Sequence, residues 1–405
     1  MSKIKRKRVP AKRPTIGLAV DAMFNFGRQI LRGATQYANL KRKWRLVEDF
    51  QIFSTDINVW PQCDGMIVAA STPEILADFR RRSRYLISCS GGADPATTCI
   101  VSMDDARIGE MAAAHLMACR CPNFAFYGDP DFRVSRTRLE AFRTTLARDN
   151  FTCMESPIAY HWEPHPYGAI RPQWSSIAKW MHSLPKPVGI MAMDDMAARD
   201  LAGACLHGGL AVPDQIAIIG VNNDELLCES CWPHLSSINV GAERIGFAAA
   251  RMMDRLLSGE HLKPTERVLR LPPLGVVRRM STDILAIEDH NVATAVRFIH
   301  EHACDPCSVA DVLRHVPVNR RWLERQFMDQ LNRTVHDEIV HIRMDMACRM
   351  LLRRDFTLDE VAESCGFTTR SSFSRTFIQR TGESPAGYRR KRLAGRLPAA
   401  GETSP

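Results

Sequence analysis

Val188–Glu225 reads VGIMAMDDMAARDLAGACLHGGLAVPDQIAIIGVNNDE. An apolar run, Val188–Met193, stops at two carboxylates, Asp194 and Asp195. A helical stretch, Asp195–His207, follows, and a second apolar run, Ile216–Val221, stops at two amides, Asn222 and Asn223. Short apolar runs bounded in this way suit strands buried on both faces, and a helix between two of them makes the crossover unit of a parallel sheet. The alternation extends in both directions. Thr15–Val20 is strand-like and Gly27–Ala38 helical, Asp64–Ala70 precedes a helix over Pro73–Arg82, and Cys99–Met103 leads into Ala106–Cys119. Asn123–Gly128 precedes helix Ser135–Asp149, and helix Ala242–Leu257 ends at Gly259, a residue suited to a C-cap. Repeats running from 14 to 283 exceed one small sheet, so the expected fold is α/β, two doubly wound lobes of parallel sheet with a cleft between them.

In such folds ligands bind at the carboxyl ends of the strands. Asp21 follows the first strand, with Asn25 and Arg28 just after it. Arg136 and Arg138 open the helix after Asn123–Gly128, Asp194 and Asp195 follow one central strand, and Asn222 and Asn223 follow the next. A neutral polyol needs this mixture. Carboxylates accept from hydroxyls, Arg and Asn donate to them, and charge-assisted bonds are the strong ones. Apolar sugar faces stack on aromatic rings, and Trp174, opening a helix near Ser175–Met181, is the candidate platform. Any one Asp or Asn after a strand is as readily a helix cap. Four strand ends carrying such residues point to a ligand.

From Asn291 the pattern becomes helical throughout. Val292–Cys304 forms an amphipathic stretch with Ala293, Val296, Ile299 and His300 on its stripe. Ser308–Val316, a break at Pro317 and Asn319–Leu331 make one helix-turn-helix candidate. A long helix over Thr334–Leu352 leads to a second, Leu358–Ser364, Gly366 and Thr369–Arg380. Ser308 and Thr357 are good N-caps, and Ala362 and Gly366 are the small residues a tight helix crossing requires. In each second helix a pair of apolar residues, Leu323 with Phe327 and Phe373 with Phe377, faces a core. The opposite faces carry Arg320, Arg321, Glu324 and Arg325, then Arg370, Ser371, Ser374 and Arg375. Arg is the commonest reader of guanine in the major groove, and Ser serves bases or phosphates. Two such units about fifty residues apart set a polar helix face apart from ordinary solvated surface.

Two resemblances follow from these stretches. IMAMDDMAARDLAGA (Ile190–Ala204), VPDQIAIIGVNNDE (Val212–Glu225), SSINVGAERIGFAAARMMDRLL (Ser236–Leu257) and GVVRRMSTD (Gly275–Asp283) resemble LacI/GalR-type, periplasmic-binding-protein-like sugar sensors, in order and spacing, over residues 14–283. The resemblance places that family's sugar-binding Arg on Arg138, its polar strand-end residue on Asp194 and its stacking Trp on Trp174. Asn222 stands where the family has Asp. VAESCGF, FSRTF and GESPAGYR within Val361–Arg389, with LERQF (Leu323–Phe327) upstream, resemble the AraC/XylS family. That resemblance puts Arg321, Glu324 and Arg325, and then Arg370, Ser371, Ser374 and Arg375, against bases. Pro317 in place of a frequent Gly, and Trp322 inside the first recognition helix, depart from the family pattern.

Together the resemblances imply a transcription regulator. Its expected partners are double-stranded operator DNA, a monosaccharide effector (D-xylose or a related pentose), RNA polymerase and a second copy of the chain. The expected organisation is a basic tail over 1–13, a sugar-binding domain over 14–283, a linker over 284–290, a DNA-binding domain over 291–392 and a tail over 393–405.

The remaining composition agrees with this reading. The 405 residues carry 54 Lys and Arg against 45 Asp and Glu, a formal charge of +9, which favours a polyanionic partner. Lys3, Lys5, Arg6, Lys7, Arg8, Lys12 and Arg13 are not followed by the long apolar stretch of a signal peptide, since Ile16–Val20 stops at Asp21. No apolar run is long enough to span a membrane. The 13 Cys, an odd number, suit reduced thiols in the cytoplasm. The pairs Cys228/Cys231 and Cys304/Cys307 fall in different expected domains and read as thiols, with no metal; His161 and His165, flanking Trp162, read as surface residues. No nucleophile–base pair, phosphate loop or H-E-x-x-H motif points to an enzyme, and no cofactor is expected.

Overall fold

The structure, a computed structural model, describes residues 13–41, 44–49, 60–69, 73–90, 93–94, 96–160, 173–283, 289–331, 333–353 and 355–394. The basic run before Arg13, the segment with His161, Trp162 and His165, and most of the expected linker lie outside these residues. The chain divides into two compact units, 1–284 and 285–405.

The first unit begins with β1 (Thr15–Ala19), α1 (Asn25–Lys41), β2 (Arg45–Asp49), β3 (Cys63–Val68), α2 (Pro73–Arg81), β4 (Ser83–Ser88) and β5 (Cys99–Met103). It continues with α3 (Asp105–Ala118), β6 (Asn123–Tyr127), α4 (Arg133–Arg148), β7 (Cys153–Glu155), α5 (Gln173–Ser183), β8 (Val188–Ala192), α6 (Asp195–Gly208), β9 (Ile216–Val221) and α7 (Glu225–Ser230). It ends with β10 (Ser236–Asn239), α8 (Ala242–Leu257), β11 (Val268–Leu271) and β12 (Gly275–Val277). Among the described residues the strands form two sheets of six, ordered β11-β5-β4-β3-β1-β2 and β12-β10-β9-β8-β6-β7. All pairings are parallel except β10 with β12. The α/β expectation of two parallel-sheet lobes therefore holds. The central strands are the apolar ones because helices cover both their faces: every residue of β8 and β9 is buried.

The chain passes between the lobes three times. β5 belongs to the first sheet, whereas α3 packs on α4 and the second sheet; β10 belongs to the second sheet, whereas α8 packs on α1 and the first; and β11 leads to β12. The crossings are cross-linked: Asp104 N donates to Leu271 O (2.9 Å) and Leu274 N to Asn239 O (2.8 Å). Both sheets turn the carboxyl ends of their parallel strands toward these crossings, which puts the strand-end loops of the two lobes face to face.

The second unit is helical: α9 (His290–His302), α10 (Val309–His315), α11 (Arg320–Leu331), α12 (Val335–Leu351), α13 (Leu358–Ser364), α14 (Arg370–Thr381) and α15 (Pro385–Ala394). It has two cores. Val292, Val296, Ile299, Val312, Leu323, Phe327, Val335 and Ile339 form the first. Val340, Met344, Ala347, Leu351, Val361, Ala362, Phe373 and Phe377 form the second. The middle helix, α12, thus serves both. On α9 the buried stripe is Val292, Ala295, Val296 and Ile299, spaced i, i+3, i+4, i+7, and the expected Ala293 and His300 lie at its margin, half-buried. α15 runs two residues beyond the expected boundary at 392.

Candidate functional site

On the second lobe, α4 follows β6 and carries Arg138 one turn in, only 3 % exposed. Its Nε donates to Asp105 Oδ1 (2.9 Å), one terminal nitrogen to Met193 O, and the other to Met103 Sδ (3.0 Å). Asp105 opens α3, so the guanidinium joins the ends of β5, β6 and β8. Burial pushes the Asp105 carboxyl above the usual carboxylate range despite the adjacent guanidinium.

Asp194 caps α6 by accepting from Ala197 N (2.8 Å), and its carboxyl is also pushed up by burial, opposed by that bond and by the charge of Arg138. Asn222 ends the neighbouring β9 in the left-handed region (φ 106°), which Asn tolerates better than most residues. Its backbone N–H is tied to Ile238 O (3.0 Å), and it is half-buried. Arg138, Asp194 and Asn222 therefore share one corner, after the adjacent strands β6, β8 and β9.

The first lobe brings Asp21, Asn25 and Arg28 to the same side of the cleft. Asp21 accepts from Met23 N (2.8 Å), and Arg28 donates to Ala22 O (2.9 Å) and Met23 O (2.7 Å), which shapes the loop before α1. Asn25 then reaches across: its N donates to Asp224 Oδ2 (3.3 Å) and its Nδ2 to Asn223 O (3.2 Å), with Arg28 3.8 Å from Asp224. Asn223 is buried; its N donates to Ser237 Oγ (2.9 Å), and its side chain accepts from Arg279 (3.0 Å). Two lobes otherwise linked by the chain crossings are thus latched by side chains.

Three expected residues are placed elsewhere. Asp195 does not open into the cleft. Its Oδ1 accepts from Ser237 Oγ (2.5 Å) and its Oδ2 from Asp224 N (2.7 Å), at 3 % exposure, and burial pushes its carboxyl up to about 7. It is an internal brace between α6, β10 and α7. Trp174 lies between α5 and α6, where a Cβ at Gly203 would collide with its ring. Gly203 is two turns along α6 from the strand end, so this ring does not face Arg138. Arg136 is exposed and donates to Pro130 O (3.1 Å) and Asp131 O (3.2 Å), away from Arg138.

Sequence reading missed Asp105, Asp224 and Arg279. A signal for Asp105 existed: Met-Asp-Asp occurs at 103–105 and again at 193–195, each time after a strand and before a helix. In both copies the first Asp caps the helix and the second is held by a side-chain partner, Arg138 for Asp105 and Ser237 for Asp195.

In the second unit, α11 and α14 are equal in length, and positions 321–329 repeat the burial pattern of 371–379. Arg320, Arg321 and Arg325, and Arg370, Ser371 and Arg375, are exposed, and Ser374 is half-buried. Arg370 pairs with Asp359 (3.3 Å). Glu324 departs from the expectation that it faces outward with these residues: its Oε2 accepts from Val335 N (3.2 Å), one of the donors left open at the start of α12. Thr357, expected as an N-cap, accepts from Glu360 N (3.2 Å) at the start of α13, and the recognition helices have caps of their own. Asn319 Oδ1 accepts from Trp322 N (2.8 Å), and Thr369 Oγ1 from Ser372 N (3.1 Å). The Pro317 turn is one residue shorter than the Gly366 turn, spanning 316–319 against 365–369.

Among the described residues no cluster of His, Cys, Asp or Glu is placed to hold a metal ion, and no helix is long and apolar enough to cross a membrane. The described cysteines are free thiols.

Residues 113–282 match the family of periplasmic-binding-protein-like domains, and 312–391 match a helix-turn-helix domain family. The chain is 29 % identical over 386 residues to the xylose operon regulatory protein of Haemophilus influenzae, covering 92 % of this chain and 97 % of that one. It is 28 % identical to the Escherichia coli protein of the same name, over 93 % and 97 % of the two chains. A solved structure described as a xylose-binding transcription activator superposes with a TM-score of 0.76 at 26 % identity, over 94 % of this chain and 98 % of that chain. These relatives are transcription regulators, and the likeness runs through both units. The chain thus joins a periplasmic-binding-protein-like domain over 113–282 to a helix-turn-helix domain over 312–391, and over nearly its whole length it is similar to the xylose operon regulatory proteins.

Proposed function

We propose that the chain is a cytoplasmic, homodimeric activator without enzymatic activity that responds to a pentose, D-xylose first, and recruits RNA polymerase to genes of pentose use. The observation that carries the reading is Arg138, a cation buried at the ends of three strands with Asp194 beside it. The terminal nitrogen facing Met103 Sδ also lies 2.9 Å from Asp105 Oδ1; a thioether is a weak acceptor, so its N–H toward Met103 is the one most readily given to a sugar hydroxyl. Asp194 and Asn222 supply an acceptor and an amide next to it. The names of the relatives similar over the full length support xylose as the pentose.

On this reading the sugar favours the latched arrangement of Asn25 and Arg28 with Asn223 and Asp224, by as much as its affinity differs between open and closed lobes. Arg321 and Arg325 of the first recognition helix, and Arg370, Ser371, Ser374 and Arg375 of the second, read bases, and Arg320 reaches phosphate. Each domain then places two helices in successive major-groove faces about 34 Å apart.

Calorimetry of the full chain against a panel of monosaccharides, with gel shifts on selected operator duplex, tests the proposal. D-xylose is expected to bind and to change operator affinity, and Arg138→Ala to abolish that response while the duplex is still bound. A different pentose giving the larger response reassigns the effector. No monosaccharide changing operator affinity overturns the sensing role.

A further inference from the structure

The two recognition helices stand on different cores joined by α12, so contacts that brace one core against the other contribute to the angle and spacing between them. Arg343 of α12 is placed to do so. Its Nε donates to Ala303 O (2.6 Å), and a terminal nitrogen donates to Cys307 O (3.1 Å) and Asp305 O (3.3 Å). All three carbonyls belong to the turn between α9 and α10, and Ala303 ends α9, where the helix dipole favours a cation. The other face of the guanidinium lies 5.6 Å from the ring centre of Phe367, in the turn between α13 and α14. Phe367 packs in turn on Phe373 of α14, ring centres 5.5 Å apart.

The two turns are in direct contact. Gly366 has φ +72°, and a Cβ there would come within 2.8 Å of Cys304 O and 3.1 Å of Ala303 O, so only glycine lets the 365–369 turn seat against the 303–308 turn. At its far end α14 is tied again, by Arg380 to Asp337 in the first turn of α12. The second recognition helix is therefore anchored at both ends to elements of the first helix-turn-helix core, the 303–308 turn and the start of α12.

We propose that Arg343 is a positioning residue that fixes the offset between the two recognition helices, so that the domain accepts one separation of its two groove segments. It acts through the 303–307 turn and Phe367 and touches no base. Inserting one base pair between the two segments displaces the far one by about 3.4 Å and rotates it by about 34°.

The test uses the full-length protein and duplexes selected from a random pool. The wild type is expected to yield one separation and to lose about 10- to 100-fold in affinity on a duplex with one inserted base pair, the scale of a lost base contact. Arg343→Ala is expected to bind the native separation more weakly, to lose no more than about threefold on the insertion, and to select mixed separations. A purely structural defect weakens both duplexes equally and leaves their ratio at the wild-type value; that result overturns the proposal. If Arg343→Ala does not fold, Arg343→Lys keeps a cation against the carbonyls but loses the planar fork and ring stack. It is expected to give an intermediate ratio with near-native melting, and a wild-type ratio from folded Arg343→Lys overturns the proposal in the same way.

Discussion

Replacing Arg138 with Ala leaves Asp105 buried without its cation, and the consequence depends on pH in a direction the structure dictates. Asp105 is 12 % exposed at the side chain and 2.9 Å from the guanidinium. Removing one partner of a buried pair costs about 3–5 kcal/mol, because the other charge stays behind. The carboxyl can escape by taking a proton, at about 1.4 kcal/mol for each pH unit above an unfolded-chain value near 3.9. That ceiling is about 5 kcal/mol at pH 7.5 and about 1.5 kcal/mol at pH 5, with about 1 kcal/mol more for the Met193 carbonyl left without its donor. Since burial already raises the folded carboxyl above its unfolded value, the added cost is largest at high pH and is relieved as pH falls. At about 2–4 °C per kcal/mol, the first unit's melting temperature should drop by about 8–24 °C at pH 7.5 and by no more than about 5–10 °C at pH 5. Differential scanning calorimetry across this range reads it, with Arg138→Ala/Asp105→Asn as the control in which the pH dependence disappears. A loss of the same size at both pH values would refute the buried-pair account.

Asp195, pushed up to about 7 by burial, holds a proton when folded that the unfolded chain releases near pH 4. Its contribution favours the folded state in acid and is lost as pH rises from about 4 to 7, at up to about 1.4 kcal/mol per unit; Asp195→Asn should flatten that part of the stability profile, and an unchanged slope would assign it to another group. Glu324→Ala should destabilise the second unit by about 0.5–2 kcal/mol through the lost α12 cap, with base preferences unchanged in selected duplexes. A shifted preference at any one position would make Glu324 a reader of DNA after all.

Strands buried on both faces are legible because nothing polar interrupts them, as in β8 and β9. β4 escapes a reading by periodicity because it begins Ser-Arg-Tyr and follows α2 after one residue, so its polar start reads as the end of the helix. The edge strands β2, β7 and β12 escape it for the related reason that an edge needs little apolar sequence. At the site, sequence places Arg138, Asp194 and Asn222 in one neighbourhood because each follows a strand of the same sheet. It does not rank Asp194 over Asp195, since which of two adjacent carboxylates turns inward depends on Ser237 and Asp224, far along the chain. Trp174 has the right chemistry but sits where α5 meets α6, a contact that helical periodicity alone does not orient. In the helical unit the i, i+4 aromatics mark the cores directly, whereas Glu324 matches a polar face while its partner, Val335 N, belongs to the next helix.

The three passages of the chain between lobes make the first unit resistant to dissection. A truncated chain ending anywhere from 104 to 240 keeps β1 through β5 but lacks β11 and the covering helix α8, so the first sheet has an open edge and a bare face. One beginning after 104 keeps most of the second sheet and carries α8 and β11 with nothing to pack on. Neither half is a self-sufficient fragment, so limited proteolysis should release the two units from one another long before it yields a single lobe.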